Sequence, residues 1–568
     1  MAVMKMTGAT SDGEADWHSV NWAMAHQTVR RLQVRIAKAT REKRWGKVKT
    51  LQWLLTHSFY GKVIAVKRVT ENQGKRTPGV DGETWSTPES KAKAVKSLKR
   101  HGYQPSPLRR VFIPKANGKM RPLGIPTMRD RAMQALHLLA LVPVAETTAD
   151  PNSYGFRPDR ASRDAAEQCF KVLANRRFSA RWVLDADISG CFDNIGHDWL
   201  LANIPMDKVV LRKWLQSGFV WKSQMFSTDA GTPQGGIISP TLANMTLDGM
   251  EHVLRQRFGA RRSRETKKYK VHLIRYADDF VVTGTSTDVL EEAKTLIEEF
   301  LKVRGLSLSP EKTKIAHIDE GFDFLGWNVR KYDGKLLIKP ANKNVQAFLR
   351  KIRKVIKISK AAKQEDMIAT LNPIIRGWAN YHQNQVSKST FQKVDSDIWQ
   401  QLWKWACRRH RRKSRHWIKD RYFIREGTRD WIFSTRVKKD DKEKKVTLAK
   451  SGNIPIRRHR KIICDANQFD PSWETYFEKR LDLIMKDDLR KKPQLLHLWR
   501  TQAGKCPKCG ERITKEGGWN IHHILSKAQG GSDKSTNLVL LHPNCHRQIH
   551  SHDDSKLLAP TIWGFEEA

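Results

Sequence analysis

Two adjacent aspartates, Asp278 and Asp279, sit in the stretch VHLIRYADDFVVTG between two runs rich in β-branched and aromatic residues. Val271, Leu273 and Ile274 precede the pair, and Phe280, Val281 and Val282 follow it. The pattern predicts two strands joined by a tight turn with both carboxylates at its tip. Like charges placed side by side are either simply solvated or held by something strongly positive. A second strand-like run, RWVLDADISGCFDNI from Arg181, delivers Asp187 just where another turn begins. If the two strands are neighbours, three carboxylates converge. Such an oxygen-rich site suits Mg²⁺, and a pair of these ions can clamp the attacking and leaving oxygens of a phosphoryl transfer. Taken alone, an ADD turn is more often a solvated loop.

Charge narrows the partner. Lys and Arg number 104 against 59 Asp and Glu, a formal net charge of +45 over 568 residues. That excess goes far beyond the needs of solubility and points to a polyanion, with nucleic acid first. The length suffices for roughly three or four domains, each with its own core. The longest apolar run, ALHLLALVPVA from Ala135, is about half the roughly 20 residues of a spanning helix, and it contains His137, so it reads as a buried helix. The first residues carry acids and no continuous apolar segment, so no secretory signal is visible. The protein is expected to work inside the cell without a membrane partner, in a bacterial-type cytosol or nucleoid, with an organelle as the alternative. Of seven cysteines, Cys169, Cys191, Cys407 and Cys464 are scattered singly and read as inert thiols. Cys506, Cys509 and Cys545 cluster, which in a reducing compartment suggests metal rather than disulfide.

Along the chain, residues 17 to 70 show helical periodicity, and the Gly- and Pro-containing NQGKRTPGVDGETW from Asn72 breaks it as a loop. From about Val111 to Trp327 short β-branched runs alternate with helical stretches, as in an α/β or α+β domain. Beyond Ala341 the chain turns helical, basic and rich in tryptophan. Trp399 and Trp403 share a helix face there and read more readily as core than as platforms for stacked bases. The charged VKKDDKEKKV from Val437 reads as a loop or linker.

Six ordered blocks then resemble the reverse transcriptase of group II introns: FIPKANGKMRPLGIP from Phe112, DISGCFDNI from Asp187, GTPQGGIISPTLAN from Gly231, YADD from Tyr276, LSPEKTK from Leu308 and FDFLGW from Phe322. The resemblance implies that Asp187, Asp278 and Asp279 hold two Mg²⁺. It implies that Phe192 lies beneath the nucleotide sugar and excludes a ribose 2′-hydroxyl, the plain alternative being a core phenylalanine. Gln234 would offer its amide to the template or the incoming nucleotide, against a simple Gly/Pro turn. Lys115 and Arg121, with Lys119 in the same run, are candidates for gripping the triphosphate, and the sequence leaves open which does so. Lys312 would approach the leaving phosphate; a solvated lysine is the alternative. LNPIIRGWANYH from Leu371 and the tryptophan helix after Ile398 resemble the maturase or thumb region, which grips intron RNA and the template-primer duplex. The generically basic stretch from about Arg421 to Lys491 matches the position of a DNA-binding segment.

Near the C-terminus, CPKCG and HPNC place Cys506, Cys509, His542 and Cys545 in two pairs with equal gaps, the spacing of a tetrahedral structural Zn²⁺ site. With His522, His523, Asn537, His546 and His550 between and after them, this segment resembles an HNH endonuclease finger. By that resemblance His522, His546 and His550 hold one catalytic divalent ion, His523 is the general base and Asn537 orients the fold. A zinc ribbon that merely binds DNA is the alternative.

The expected fold is a multidomain α+β protein. It comprises a basic helical extension with the start of the fingers (1–110), a right-hand polymerase fingers and palm with an antiparallel palm sheet (111–335), an α-helical thumb or maturase domain (336–420), a basic DNA-binding segment (421–500) and a small zinc-containing ββα-metal domain (501–568). The expected activity is that of an intron-encoded reverse transcriptase that also assists splicing and nicks target DNA. Its expected partners are intron RNA, target DNA, a template-primer duplex and dNTPs, engaged as a monomer or homodimer within a ribonucleoprotein. On charge alone, an RNA-binding splicing factor without polymerisation is the rival.

Overall fold

The computed structural model describes residues 17–552, apart from 115–117, 119, 233, 262, 440–441, 491, 516 and 527–528. Lys115 and Lys119 therefore lie outside the described residues. The chain begins with helices α1 (Trp22–Arg41), α2 (Trp45–His57) and α3 (Phe59–Glu71), followed by α4 (Pro88–Ser97). Asn21 caps α1 by accepting the Met24 amide at 3.0 Å, and Ser58 caps α3 by accepting that of Gly61 at 3.0 Å. These helices pack around α5 (Met128–Thr148), the apolar run noted above, which is buried for most of its length. Even Arg131 of α5 is buried, with its guanidinium donating to the Pro126, Gly74 and Thr77 carbonyls. A buried cation is tolerable where several acceptors surround it.

A sheet in the order β2-β1-β4-β5 follows, built from β1 (Leu108–Pro114), β2 (Met120–Ile125), β4 (Phe219–Trp221) and β5 (Gln224–Phe226). The central sheet runs β6-β7-β3-β8, from β3 (Trp182–Asp187), β6 (His272–Tyr276), β7 (Asp279–Gly284) and β8 (Lys314–His317), with every pairing antiparallel. Alternation along its strands divides the apolar residues between two cores. Leu184, Leu273, Phe280 and Val282 join the core that contains α5. Val183, Ile274 and Val281 pack instead with β9 (Phe322–Phe324), β10 (Trp327–Tyr332) and β11 (Lys335–Pro340).

A third core joins the helices Asn342–Ile358, Gln364–His382 and Lys388–Arg409 to β12 (Phe423–Glu426) and β13 (Arg429–Lys439). The charged stretch from Val437 is not a linker: it closes a hairpin between β13 and β14 (Lys442–Thr447), six residue pairs long from Ser434↔Thr447 to Lys439↔Lys442. Lysines are well suited to an edge strand that must resist pairing with other chains. Trp399 and Trp403 pack against Trp431 and Phe423, in keeping with a core role.

The 421–500 stretch is divided among three neighbours rather than forming a segment of its own. β12 to β14 belong with the helices before them. His459 and Ile462 bind Asp164 beside the central sheet, at 2.8 Å each. The helices Glu474–Leu489 and Pro493–Thr501 adjoin the C-terminal finger, in which β15 (Asn520–His523) and β16 (Leu538–Leu541) form an antiparallel pair followed by the helix Pro543–His552. Among the described residues no helix is long and apolar enough to cross a membrane.

Candidate active sites

The two acidic stretches meet as the strand pattern anticipated. Asp187, last in β3, stands opposite Asp279, first in β7, and Tyr276 closes the other side of the β6-β7 pair. Asp278 occupies the turn with Ala277, whose φ of 60° is left-handed. Burial, then the charges of Asp185, Asp187 and Asp278, push the Asp279 carboxyl up to about 7. Burial also raises Asp278, partly countered by Lys312 and Arg121. Lys312 Nζ meets Asp187 Oδ2 at 2.5 Å, because Ser309 N donates to Asp187 O at 2.8 Å and draws its loop onto the strand end. The three aspartates are not as tightly grouped as the C-terminal ligands described below, whose atoms all lie within 4.8 Å of one another. A cluster of carboxylates that burial and mutual repulsion drive toward protonation fits a divalent cation, which would relieve both.

Residues outside the expected set complete this site. Asp185, two residues before Asp187 on the same strand, is pushed up to about 6 by burial and then by nearby acids. The DAD spacing in VLDAD was the available signal, since alternate strand residues share a face. Asp193, beside Phe192, accepts from Gln234 Nε2 on both oxygens, at 3.0 and 2.9 Å. Thr232 N donates to Phe192 O at 2.7 Å and Gly124 N to Gln234 O at 2.7 Å, so the GTPQGG loop is stitched between the Phe192 turn and β2. Gly231 has a φ of 84°, and a Cβ there would lie 2.6 Å from the Phe192 carbonyl oxygen, which is why no larger residue suits it. Phe192, partly buried, lines a cavity of about 310 Å³ together with Arg110, Asp193 and Gln234. Arg121 is exposed on β2 opposite Ile113.

The finger holds two clusters. Cys506, Cys509, His542 and Cys545 bring their ligand atoms within 4.8 Å of one another, as do His522, His546 and His550. In the first, a hydrogen bond with Cys509 draws the Cys506 thiol far below its ordinary range, while Cys545 is pushed far above by Cys506 and Cys509. Burial works against a charged His542, yet the Cys506 and Cys509 sulfurs push it up to about 10. Groups that compete in this way for too few protons match a soft cation such as Zn²⁺. His542 Nδ1 lies 3.3 Å from Cys509 Sγ, and its Nε2 lies 3.2 Å from the Arg512 carbonyl, the outer contact usual for a ligating imidazole.

In the second cluster, burial, then His546 and His550, lower His522 to about 4, and its Nε2 is buried without a hydrogen-bond partner. His546 and His550, four residues apart on one helix face, approach each other to 3.3 Å between Nε2 atoms. A buried imidazole nitrogen with no partner beside two further imidazoles fits a metal ligand set. His523, the next residue on β15, stands outside this cluster and pairs through Nε2 with Asp533 Oδ1 at 2.8 Å. Asn537 ties the intervening loop, accepting from Leu525 N at 2.8 Å and donating to the Leu525 and Ser532 carbonyls.

A sheet that presents aspartates at a strand end and an adjoining turn, with basic side chains beside them, defines a nucleotide polymerase of the reverse transcriptase class, here joined to a Cys/His finger. Residues 113–329 match the family model for reverse transcriptase (RNA-dependent DNA polymerase), and residues 17–98 that for the N-terminal domain of reverse transcriptase. Residues 345–423 match the group II intron maturase-specific domain, and residues 506–552 the HNH endonuclease. Protein YkfC of Escherichia coli is 34% identical over 300 residues, which cover 46% of this chain and 78% of that protein. Group II intron-encoded protein LtrA of Lactococcus lactis is 28% identical over 425 residues, covering 58% of this chain and 69% of that protein. The chain belongs to the group II intron-encoded reverse transcriptases, and it combines RNA-directed DNA polymerase, splicing maturase and HNH endonuclease domains.

Proposed function

We propose that the protein carries out target-primed reverse transcription: its HNH finger nicks one strand of a DNA target, and the freed 3′-hydroxyl primes copying of intron RNA at the aspartate site. The helices α1 to α4 with the β1-β2 sheet serve as fingers, the central sheet as palm, and residues 342–447 as a thumb that holds intron RNA and the template-primer duplex. The single observation that carries this reading is the cross-strand pair Asp187 and Asp279 beside Asp278 in the turn.

Asp187, Asp278 and Asp279 would hold two Mg²⁺, whose chemistry when bound is to acidify the primer 3′-hydroxyl and neutralise charge on the triphosphate. Arg121 and Lys312 bind phosphate oxygens, with Lys312 exchanging its contact to Asp187 for the leaving group. Lys115 shares the Arg121 run. Phe192 stands under the sugar and excludes a 2′-hydroxyl, and Gln234, anchored on Asp193, fixes the floor of the nucleotide pocket. In the finger, Cys506, Cys509, His542 and Cys545 would hold a structural Zn²⁺. His522, His546 and His550 would hold one divalent ion that polarises the scissile phosphate. His523 takes the proton of the attacking water, its ring held in place through Nε2 by Asp533.

Primer extension on an RNA template with Mg²⁺ tests the polymerase reading. Asp278→Ala or Asp279→Ala is expected to lower dNTP incorporation by a factor of about 10³ or more, as loss of a metal ligand should. RNA affinity, carried by the basic surface, is expected to stay within about twofold. Extension equal to wild type would sink the assignment. His523→Ala should abolish nicking while extension persists; equal nicking would remove His523 from the mechanism.

A further inference from the structure

The loop Ser153–Pro158 has no part in the roles above, yet it is clamped from several sides. Tyr154 N donates to Arg275 O at 2.9 Å, Asn244 Nδ2 donates to Gly155 O at 2.7 Å, and the buried Arg157 fork grips Glu146 at 2.9 and 3.0 Å. A Cβ on Gly155 would fall 2.3 Å from Ala277 N, so the loop backbone lies hard against the turn that carries Asp278. Between these clamps Phe156 adopts a φ of 58°, a left-handed conformation that strains any residue bearing a Cβ. The residue is 51% exposed, and its ring meets the Phe192 ring edge-on, with centroids 6.1 Å apart and planes at 77°.

Neither burial nor backbone preference accounts for a phenylalanine here, since a half-exposed residue gains little from the core and a glycine would adopt the same φ without strain. The contact with Phe192 does account for it. Phe192 sits on the four-residue helix Cys191–Asn194, a short element with little rigidity of its own. A ring that rejects a 2′-hydroxyl by overlap works only if it cannot swing aside.

We propose that Phe156 is a positioning residue for sugar selection, its ring bracing that of Phe192 against the incoming nucleotide so that a ribose cannot displace it. This rests on Phe192 acting beneath the sugar. Edge-to-face ring pairs suggest that removal should cost about two- to tenfold in discrimination.

The test is primer extension by the full-length protein with dNTPs and with rNTPs, reported as the ratio of kcat/KM values. Phe156→Ala is expected to lower the ratio by about two- to tenfold, and Phe156→Tyr, which keeps the ring, to restore it. Phe156→Gly is expected to lower the ratio to the same extent while raising Tm, because it relieves the left-handed strain; a merely structural ring would give a lower Tm and an unchanged ratio. Wild-type ratios in Phe156→Ala and Phe156→Gly, alongside a reduced ratio in Phe192→Val, would overturn the brace alone. A wild-type ratio in Phe192→Val would instead overturn the sugar-gate reading, and the brace with it.

Discussion

At the residue scale, the chemistry of Asp279 is set by its surroundings: burial, and then the charges of Asp185, Asp187 and Asp278, push its carboxyl up to about 7. The same dependence makes Gly231 and Arg157 sensitive. Gly231→Ala forces a Cβ against the Phe192 carbonyl at a φ of 84°, and it should cost about 1–3 kcal/mol and raise the KM for dNTPs, as read by denaturant unfolding and steady-state kinetics. Arg157→Ala leaves Glu146 buried with Arg160 as its remaining cationic partner, so a loss of about 3–5 kcal/mol in unfolding free energy is expected. A loss below about 1 kcal/mol would show that the pair is not needed to hold the loop.

At the element scale, β13 and β14 mark where sequence patterning fails. A charge run usually denotes a solvated loop, and in β14 the residues KEKKVT offer few apolar side chains to reveal a strand period. The strand forms because β13, through Phe433, is anchored in the third core and supplies a ladder for β14. Gln364 stitches this sheet to the helices, its buried amide donating to Tyr422 O at 2.8 Å and Ser434 O at 3.1 Å. Gln364→Leu would strand both carbonyls and should destabilise the hairpin by about 2–3 kcal/mol. Limited proteolysis within 429–447 is expected to accelerate, while cleavage in the central sheet stays at the wild-type rate.

At the scale of the whole molecule, two buried histidines weigh against the folded state in acid. Burial lowers both His137 on α5 and His382 in the third core from the ordinary 6.5 to about 4. The folded protein therefore keeps them neutral where the unfolded chain takes up protons. Through these two groups stability falls as pH drops from about 6.5 to about 4, by about 3 kcal/mol for each, while Asp185 and Asp279, whose carboxyls are pushed up, act in the opposite sense over the same range. Replacing His382 by Gln should raise Tm at about pH 4 relative to Tm at about pH 7 when compared with wild type, and an unchanged difference would exclude the residue as a source of acid destabilisation. Metal removal acts on another part of the molecule. Cys506, Cys509 and Cys545 are continuous with the core through Leu498 and Trp499. A Zn²⁺-selective chelator with Mg²⁺ kept in excess, or Cys506→Ser, should open the finger, read as faster proteolysis beyond residue 501, and abolish nicking of a DNA target, while primer extension persists.

The sequence by itself determined the aspartate hairpin, the ligand spacings in the finger and the buried run of α5, because each is a local pattern: alternation, a fixed gap between ligands, unbroken apolarity. Only the tertiary structure decided which groups share an environment. It set Asp187 across from Asp279, added Asp185 to their field, tied Gln234 to Asp193, paired His523 with Asp533 and pressed the Phe156 loop against the turn that carries Asp278. These contacts join residues that local sequence pattern does not pair. Their energies arise from burial and from charges brought close in a low-dielectric interior, neither of which exists until the sheets and helices have packed.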